Sequence, residues 1–171
     1  MIIDVAHAST RLIDDTLRFE NLSVMCSHSG VYELCPNARN VKLAQIEQIV
    51  RNGGFFGLSF FPAVLCVEYS ELLDAIVSTI KYLGNHVGYS GIGLGSDWDG
   101  AVEVPMDASN IAQLTHRLLQ ANISEDDIRG VMGENFKRFL LQALPMTDER
   151  DMNETSKLEP TSSNDLGEEE L

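Results

Sequence analysis

Three side chains able to take part in metal or acid–base chemistry stand at the ends of short apolar runs. Ile2-Ile3-Asp4-Val5-Ala6 leads to His7, Leu22-Ser23-Val24-Met25-Cys26-Ser27 leads to His28, and Gly91-Ile92-Gly93-Leu94-Gly95-Ser96 leads to Asp97. A fourth run, Phe55 to Phe60, ends at the Phe61-Pro62 break. Histidines at equivalent positions on neighbouring parallel strands, about 4.8 Å apart, can reach one metal ion. Two neutral imidazoles, a carboxylate and a water make an ordinary catalytic zinc shell. Ala8 and Ser9 beside His7, and Ser27 and Ser29 beside His28, are small enough to leave room for metal and substrate. Each residue also has a plainer use. His7 could cap the helix that follows it. Asp97 could be a ligand, a general base toward metal-bound water, or a turn residue. Asp99-Gly100 reads as turn chemistry. Arg39, in the otherwise uncharged stretch Cys35-Pro36-Asn37-Ala38, could clamp a substrate carboxylate bidentately or could be a solvated surface arginine.

Other motifs carry less. Gly91-Ile92-Gly93-Leu94-Gly95 lies within a strand pattern and runs into an acidic turn, whereas a dinucleotide fingerprint needs a glycine-rich turn opening a helix. His86 and His116 fall before a strand and inside a helix and read as structural. The three cysteines match no zinc-finger or Cys-x-x-Cys spacing. Cys26 reads as a small buried hydrophobe. Cys35 and Cys66 follow strand ends, where a disulfide could form in an oxidising compartment.

The elements that must position these groups follow from hydrophobic spacing. Strands are expected at Ile2–Ala6, Leu22–Ser27, Phe55–Phe61 and Gly91–Ser96, nearly all apolar as for strands covered on both faces. Between them, Thr10–Phe19 reads as a helix turning Leu12, Ile13, Leu17 and Phe19 toward the sheet. A second helix is expected to be capped by Asn40 and stopped by Asn52-Gly53-Gly54. A third is expected to be capped by Ser70 and stopped by Gly84-Asn85. Later helices carry Ile111, Leu114, Leu118 and Leu119, open at Ser124, and close with Asn135–Leu144. Strand–helix alternation with parallel-type strands gives an α/β fold. Residues at the carboxyl ends of such strands build the active site of an α/β barrel, yet four strand–helix units fall short of the roughly 250 residues of a closed one.

Of the 171 residues, 1–145 are expected to fold as one domain. Residues 146–171 hold nine acids against Arg150 and Lys157, about half the net charge of −14, with little apolar content, and should form a disordered acidic tail. Without a basic patch the chain offers nothing to grip nucleic acid. No apolar run approaches the roughly 18 residues of a membrane span, and neither a signal-peptide pattern nor a lipid-anchor signal is present. Taken literally, with Met1 as the start, that reads as soluble and cytosolic.

The motifs in order, Ile3-Asp4-Val5-Ala6-His7-Ala8-Ser9, Ser27-His28-Ser29, Ala38-Arg39-Asn40-Val41, Gly95-Ser96-Asp97-Trp98-Asp99-Gly100 and Gly133-Glu134-Asn135-Phe136-Lys137-Arg138-Phe139, resemble those of the membrane (renal) dipeptidase family across residues 1 to about 144. The resemblance implies the C-terminal half of a metal-dependent (β/α)8 barrel of TIM type. It implies a metallopeptidase that hydrolyses dipeptides with two zinc ions and metal-activated water. In that reading His7 and His28 are ligands of the second zinc, Arg39 binds the substrate's terminal carboxylate, and Asp97 passes a proton to the leaving amine. The ligands of the family's first zinc, a His-x-Asp pair, have no counterpart in this sequence, nor do its bridging glutamate and a substrate-binding histidine. The chain then starts at the family's fifth strand, as a truncated gene product, isoform or fragment would. A half-barrel with two open edges is expected to pair as a homodimer and to hydrolyse dipeptides poorly alone. The rival reading is a non-catalytic binding or regulatory protein derived from half an enzyme. Family members are often extracellular and membrane-anchored and carry cysteines near positions 35 and 66, which leaves localisation open and favours the disulfide.

Overall fold

The computed structural model describes residues 1–144; the acidic segment 146–171 lies outside the described residues. The chain alternates strands and helices: β1 (Ile2–Asp4), α1 (Thr10–Leu17), β2 (Ser23–Ser29), α2 (Leu43–Arg51), β3 (Phe55–Leu58), α3 (Pro62–Leu65), α4 (Leu72–Val87), β4 (Ile92–Leu94), α5 (Ala112–Gln120), α6 (Glu125–Arg129) and α7 (Asn135–Ala143). All four strands are parallel, in the order β1-β2-β3-β4, so each helical crossover returns the chain to the next position along the sheet. This is a four-strand arc of a (β/α)8-type arrangement, with its carboxyl strand ends on one rim.

Apolar residues at periods of two and 3.6 produce this layering. Phe56, Leu58 and Ile92 of the strands are buried together with Ile46 and Ile49 of α2, Ile76, Ile80 and Leu83 of α4, and Leu114 and Leu118 of α5. At about 1.5–3 kcal/mol for each fully buried large apolar side chain, this cluster is the main favourable term holding helices to sheet. Phe55 packs on Phe136 and Phe139 of α7, with ring centroids 5.0 and 6.2 Å apart, so β3 is covered on both faces. The alternation of a parallel ladder turns Ile92 toward the open edge of β4, where Asn135 of α7 donates from Nδ2 to its carbonyl at 2.8 Å. A buried asparagine thus serves a backbone acceptor that no strand reaches.

Several local expectations are corrected. On α1 only Ile13 and Leu17 are buried; Leu12 and Phe19 are exposed, because an eight-residue helix on a sheet edge has room for one narrow apolar stripe. Strand β2 continues two residues beyond Ser27, so His28 sits inside the strand's last turn of pleat and not after it. Lys42 stands at the N-cap of α2 without a side-chain cap, its backbone N–H donating to Gln45 Oε1 at 3.4 Å, while Asn40 is buried and otherwise engaged. Ser70 lies within a short 3-10 turn, Tyr69–Glu71, that leads into α4. Helix α4 passes through Gly84 and stops at Gly88, whose φ of 77° suits glycine. Gly84 is there for space: a Cβ would collide with the Tyr89 ring packed against the helix.

Candidate functional site

The four residues singled out for chemistry meet on one rim of the sheet. His7 follows β1 in a left-handed turn (φ 64°), and Ser9 immediately caps α1 by accepting from the Leu12 N–H at 3.2 Å. The capping role open to His7 therefore belongs to Ser9. His28 comes from the end of β2, Arg39 from the loop before α2, and Asp97 from the turn after β4, also left-handed at φ 64°. Non-glycine residues rarely take that backbone, and such outliers gather at functional sites. With Asn37, Ser59, Phe61, Val64, Gly100 and Val102 these side chains line a cavity of about 460 Å³.

The distances are those of one cluster. His7 Nε2 and His28 Nε2 stand 3.0 Å apart. Asp97 Oδ1 is 3.7 Å from His28 Nε2. Arg39 Nη2 donates to the His28 carbonyl at 2.9 Å and lies 3.2 Å from His7 Nε2. An arginine can only donate, so His7 must offer a lone pair there and carry its proton on Nδ1. Burial pushes the His28 pKa below its ordinary value, helped by nearby Arg39 and His7 and opposed by Asp97, which keeps its imidazole neutral at pH 7.

Could these residues hold a metal? Neutral imidazoles with converging Nε2 atoms are the form zinc binds, and two nitrogens on one tetrahedral zinc are about 3.3 Å apart, given bonds of roughly 2.0–2.1 Å. The pair fits half of a zinc shell. Among the described residues, no group of three or more His, Cys, Asp or Glu side chains is arranged to hold a metal ion.

Close approach and buried hydrogen bonds build the floor and walls. A Cβ on Gly95 would strike the Ser27 carbonyl and lie 2.9 Å from His28 Cα, so the glycine-rich β4 makes room for His28 and not for a nucleotide. The Arg39 loop is tied at several points. Asn37 Oδ1 accepts from Arg39 N at 2.9 Å, and Ser29 Oγ donates to Arg39 O at 3.1 Å. Asn40, 6% exposed, accepts from Gly30 N and donates to the carbonyls of Cys35 and Val64 at 2.8 and 2.7 Å. A Cys35–Cys66 disulfide joins the same two loops, with Cα atoms 5.5 Å apart. Cys26 is a free buried thiol, its pKa pushed up to about 12 by burial, and chemically inert. His86, read as structural, bonds the Tyr82 carbonyl through Nδ1 on α4.

Sequence reasoning did not find Asn37, Asn40, Ser59 or Asp4 as parts of this site. Asp4 carried a signal, being the one polar residue in an apolar strand. Its Oδ1 accepts from the backbone N–H groups of Ala6 and Ser27, both at 3.0 Å, tying β1 to β2 beneath the histidines.

Comparison with known proteins bears on the family and the fold, independently of the site's geometry. The profile of the membrane dipeptidase family (peptidase family M19) matches residues 1–153. The dipeptidase aclJ of Aspergillus oryzae is 35% identical over 150 residues, and the dipeptidase tcpJ of Claviceps purpurea 31% identical over 144. Each match covers 82% of this chain and 34% of the relative, so the chain spans about a third of the length of the curated relatives it matches. A metallo peptidase from Rhodobacter sphaeroides, solved with a phosphinate mimic of the dipeptide L-Ala-D-Ala, superposes with a TM-score of 0.76 at 23% identity. That match covers 82% of this chain and 42% of the other. The probable dipeptidase PvdM from Pseudomonas aeruginosa gives 0.73 at 21% identity, over 81% and 49% of the two chains. At such identities the structural matches speak for the fold.

Proposed function

This chain belongs to the membrane dipeptidase family, and from that premise we propose that its rim is the second-zinc half of a dipeptide-hydrolysing metal centre. The observation that carries the reading is the convergence of His7, His28, Arg39 and Asp97 on one cavity at the carboxyl ends of parallel strands. His7 and His28 would hold a zinc ion through Nε2. Bound there, zinc supplies a Lewis acid that polarises a carbonyl oxygen and lowers the pKa of water.

The chain's own residues do the rest. Among the described residues the guanidinium's hydrogen bonds all run through Nη2, leaving the Nη1 and Nε donors of Arg39 to bind a substrate's terminal carboxylate. Fixing that carboxylate positions the scissile bond over the histidine pair, which converts an encounter into an oriented reaction. Asp97, beside His28, takes a proton on its carboxylate and gives it to the departing amine. We assign residues 1–145 as the hydrolase portion; 146–171 is a strongly acidic segment that lies outside the described residues. The open edges of β1 and β4 suit pairing with a second copy.

Two imidazoles are half of a tetrahedral shell. The 171-residue chain alone should therefore bind zinc weakly and hydrolyse dipeptides poorly beside a longer form that carries the remaining ligands. Titrating zinc into the chain and into a His7→Ala, His28→Ala double variant, and assaying both forms on a dipeptide, tests this. Equal zinc binding by chain and double variant would overturn the metal assignment. Comparable turnover by the short form would show that the other ligands are dispensable. Failure of the longer form to turn over, with zinc still held by the histidines, would favour the binding-protein reading.

A further inference from the structure

The cavity that holds His7, His28, Arg39 and Asp97 has an apolar wall that the proposed hydrolysis does not use, made by Phe61, Val64 and Val102. Its volume of about 460 Å³ is in the range of small-molecule sites. Phe61 and Val64 belong to the single turn of α3, with Phe61 at its N-cap and Pro62 at its first position, where the fixed φ of proline suits a helix start. That turn is bound to the Arg39 loop at three points. Asn37 Nδ2 donates to the Ala63 carbonyl at 3.3 Å, Asn40 Nδ2 donates to the Val64 carbonyl at 2.7 Å, and Cys35 is bonded to Cys66. Phe61 and Val64 therefore stand on the Arg39 side of the cavity, whereas Val102 comes from the loop that follows Asp97. The polar atoms on the Arg39 side are already engaged. Asn37 accepts from the Arg39 N–H and gives its amide to Ala63, and Ser59 Oγ accepts from the Phe61 N–H at 3.2 Å. Among the described residues, the titratable groups lining the cavity are His7, His28, Arg39 and Asp97, and each has a place in the proposed hydrolysis. None is left to meet a charged substrate side chain. A charge moved against Phe61 and Val64 would lose hydration without gaining a partner, whereas an apolar side chain gains by leaving water.

We propose that Phe61 and Val64 form the subsite for the side chain of the residue whose carboxylate Arg39 holds, and that they select dipeptides with an uncharged, apolar C-terminal residue. The inference rests on the proposed role of Arg39, which fixes that carboxylate. The side chain branches from the carbon next to it, and α3, tied to the same loop, is the surface it meets. Gly-Leu suits that surface; Gly-Asp and Gly-Lys would each bring a charge to it. The selection is made in binding, so it is a property of the metal-free chain and is read without turnover.

The test is equilibrium binding of Gly-Gly, Gly-Leu, Gly-Asp and Gly-Lys to the full metal-free chain, followed by NMR on ¹³C-labelled valine methyl groups. Gly-Leu is expected to shift the Val64 methyls and to bind about 10-fold more tightly than Gly-Gly, with Gly-Asp and Gly-Lys no tighter than Gly-Gly. Phe61→Ala should narrow the ratio of Gly-Leu to Gly-Gly affinity. Phe61→Lys should turn the preference to Gly-Asp, a gain that a misfolded chain cannot produce. Arg39→Met separates this inference from the reading it rests on. If binding depends on Arg39 but the four dipeptides bind alike, the subsite is overturned and the carboxylate role of Arg39 stands. A preference of the natural sequence for Gly-Asp or Gly-Lys also overturns the subsite, as does a Gly-Leu preference that Phe61→Lys leaves unchanged. If no dipeptide binds, or if Arg39→Met binds them as the natural sequence does, the Arg39 reading fails and the subsite falls with it.

Discussion

Arg39 and Asp97 reach one cavity from opposite sides, and the loops that carry them are held by very different amounts of structure. The Arg39 loop is closed by the Cys35–Cys66 disulfide, pinned by buried Asn40 at three backbone groups, and bonded at both its own N–H and its carbonyl. The Asp97 turn has one backbone bond, Gly100 N to Asp97 O at 3.0 Å, and an edge-to-face packing of half-exposed Trp98 on Phe60 with ring centroids 6.0 Å apart. Asp97 and Ala101 both take left-handed backbone. The difference matches the work proposed for each. A group that recognises a fixed carboxylate gains from being held in place beforehand, because binding then costs less ordering entropy. A group that passes a proton from one atom to another must serve two positions.

The largest expected effect separates the two loops by kinetics. In a zinc-loaded form that hydrolyses dipeptides, Asp97→Asn should lower kcat by about 10²–10⁴-fold with little change in KM, the range for loss of a general acid–base group. Arg39→Met should instead act mainly on KM, by about 10–100-fold for a lost charged hydrogen bond of roughly 1.5–3 kcal/mol. Steady-state kinetics on both variants decides it; the reverse pattern would mean the roles are exchanged.

Stability is the next way to break the comparison. Reducing the Cys35–Cys66 bond, which closes a loop with a sequence separation of 31, should lower unfolding free energy by about 3–4 kcal/mol. Denaturant melts with and without reductant measure it, and non-reducing peptide mapping checks that the bond forms. Asn40→Ala strands one donor and two acceptors and should cost about 2–3 kcal/mol. Trp98→Ala on the Asp97 side removes a partly exposed ring from the buried Phe60 and should cost less, about 0.5–1.5 kcal/mol. A Trp98 loss exceeding that of Asn40 would show that the Asp97 turn is the better anchored loop.

The same contrast explains what could be read from sequence. His7, His28 and Asp97 are legible because each closes a one-dimensional pattern, an apolar run followed by a chemical group, and strand order follows from strand–helix alternation. Asn40 was legible only as a polar residue before a helix, and capping is the common use of such a residue. Its actual partners, Gly30, Cys35 and Val64, come together only once β2 and β3 are paired. Gly95 likewise reads as a weak point in a strand until the Ser27 carbonyl is seen pressed against it. Helix ends were misplaced where a glycine made space for packing, as at Gly84, instead of ending the helix. Local chemistry is visible in sequence; the clamps that hold it are long-range and appear with the fold.

The smallest expected effect concerns acid, and it bears on the strut beneath both histidines. In the folded chain partial burial pushes the Asp4 pKa up, but the hydrogen bonds it accepts, among them those from the Ala6 and Ser27 N–H groups, hold it below the usual carboxylate range. A carboxyl depressed on folding binds fewer protons in the native state, so its contribution to stability is present above the unfolded value and is lost as pH falls through the folded one. The affected window therefore lies below about pH 4. Asp4 is an exposed edge-strand residue, so solvent screening keeps the effect small. Replacing it by asparagine leaves an acceptor for the Ala6 and Ser27 N–H groups but removes the titration. The acid limb of the stability–pH profile should then become shallower for Asp4→Asn than for the natural chain, with little difference at pH 7. An acid limb of unchanged slope would mean that Asp4 titrates alike in the folded and unfolded chain.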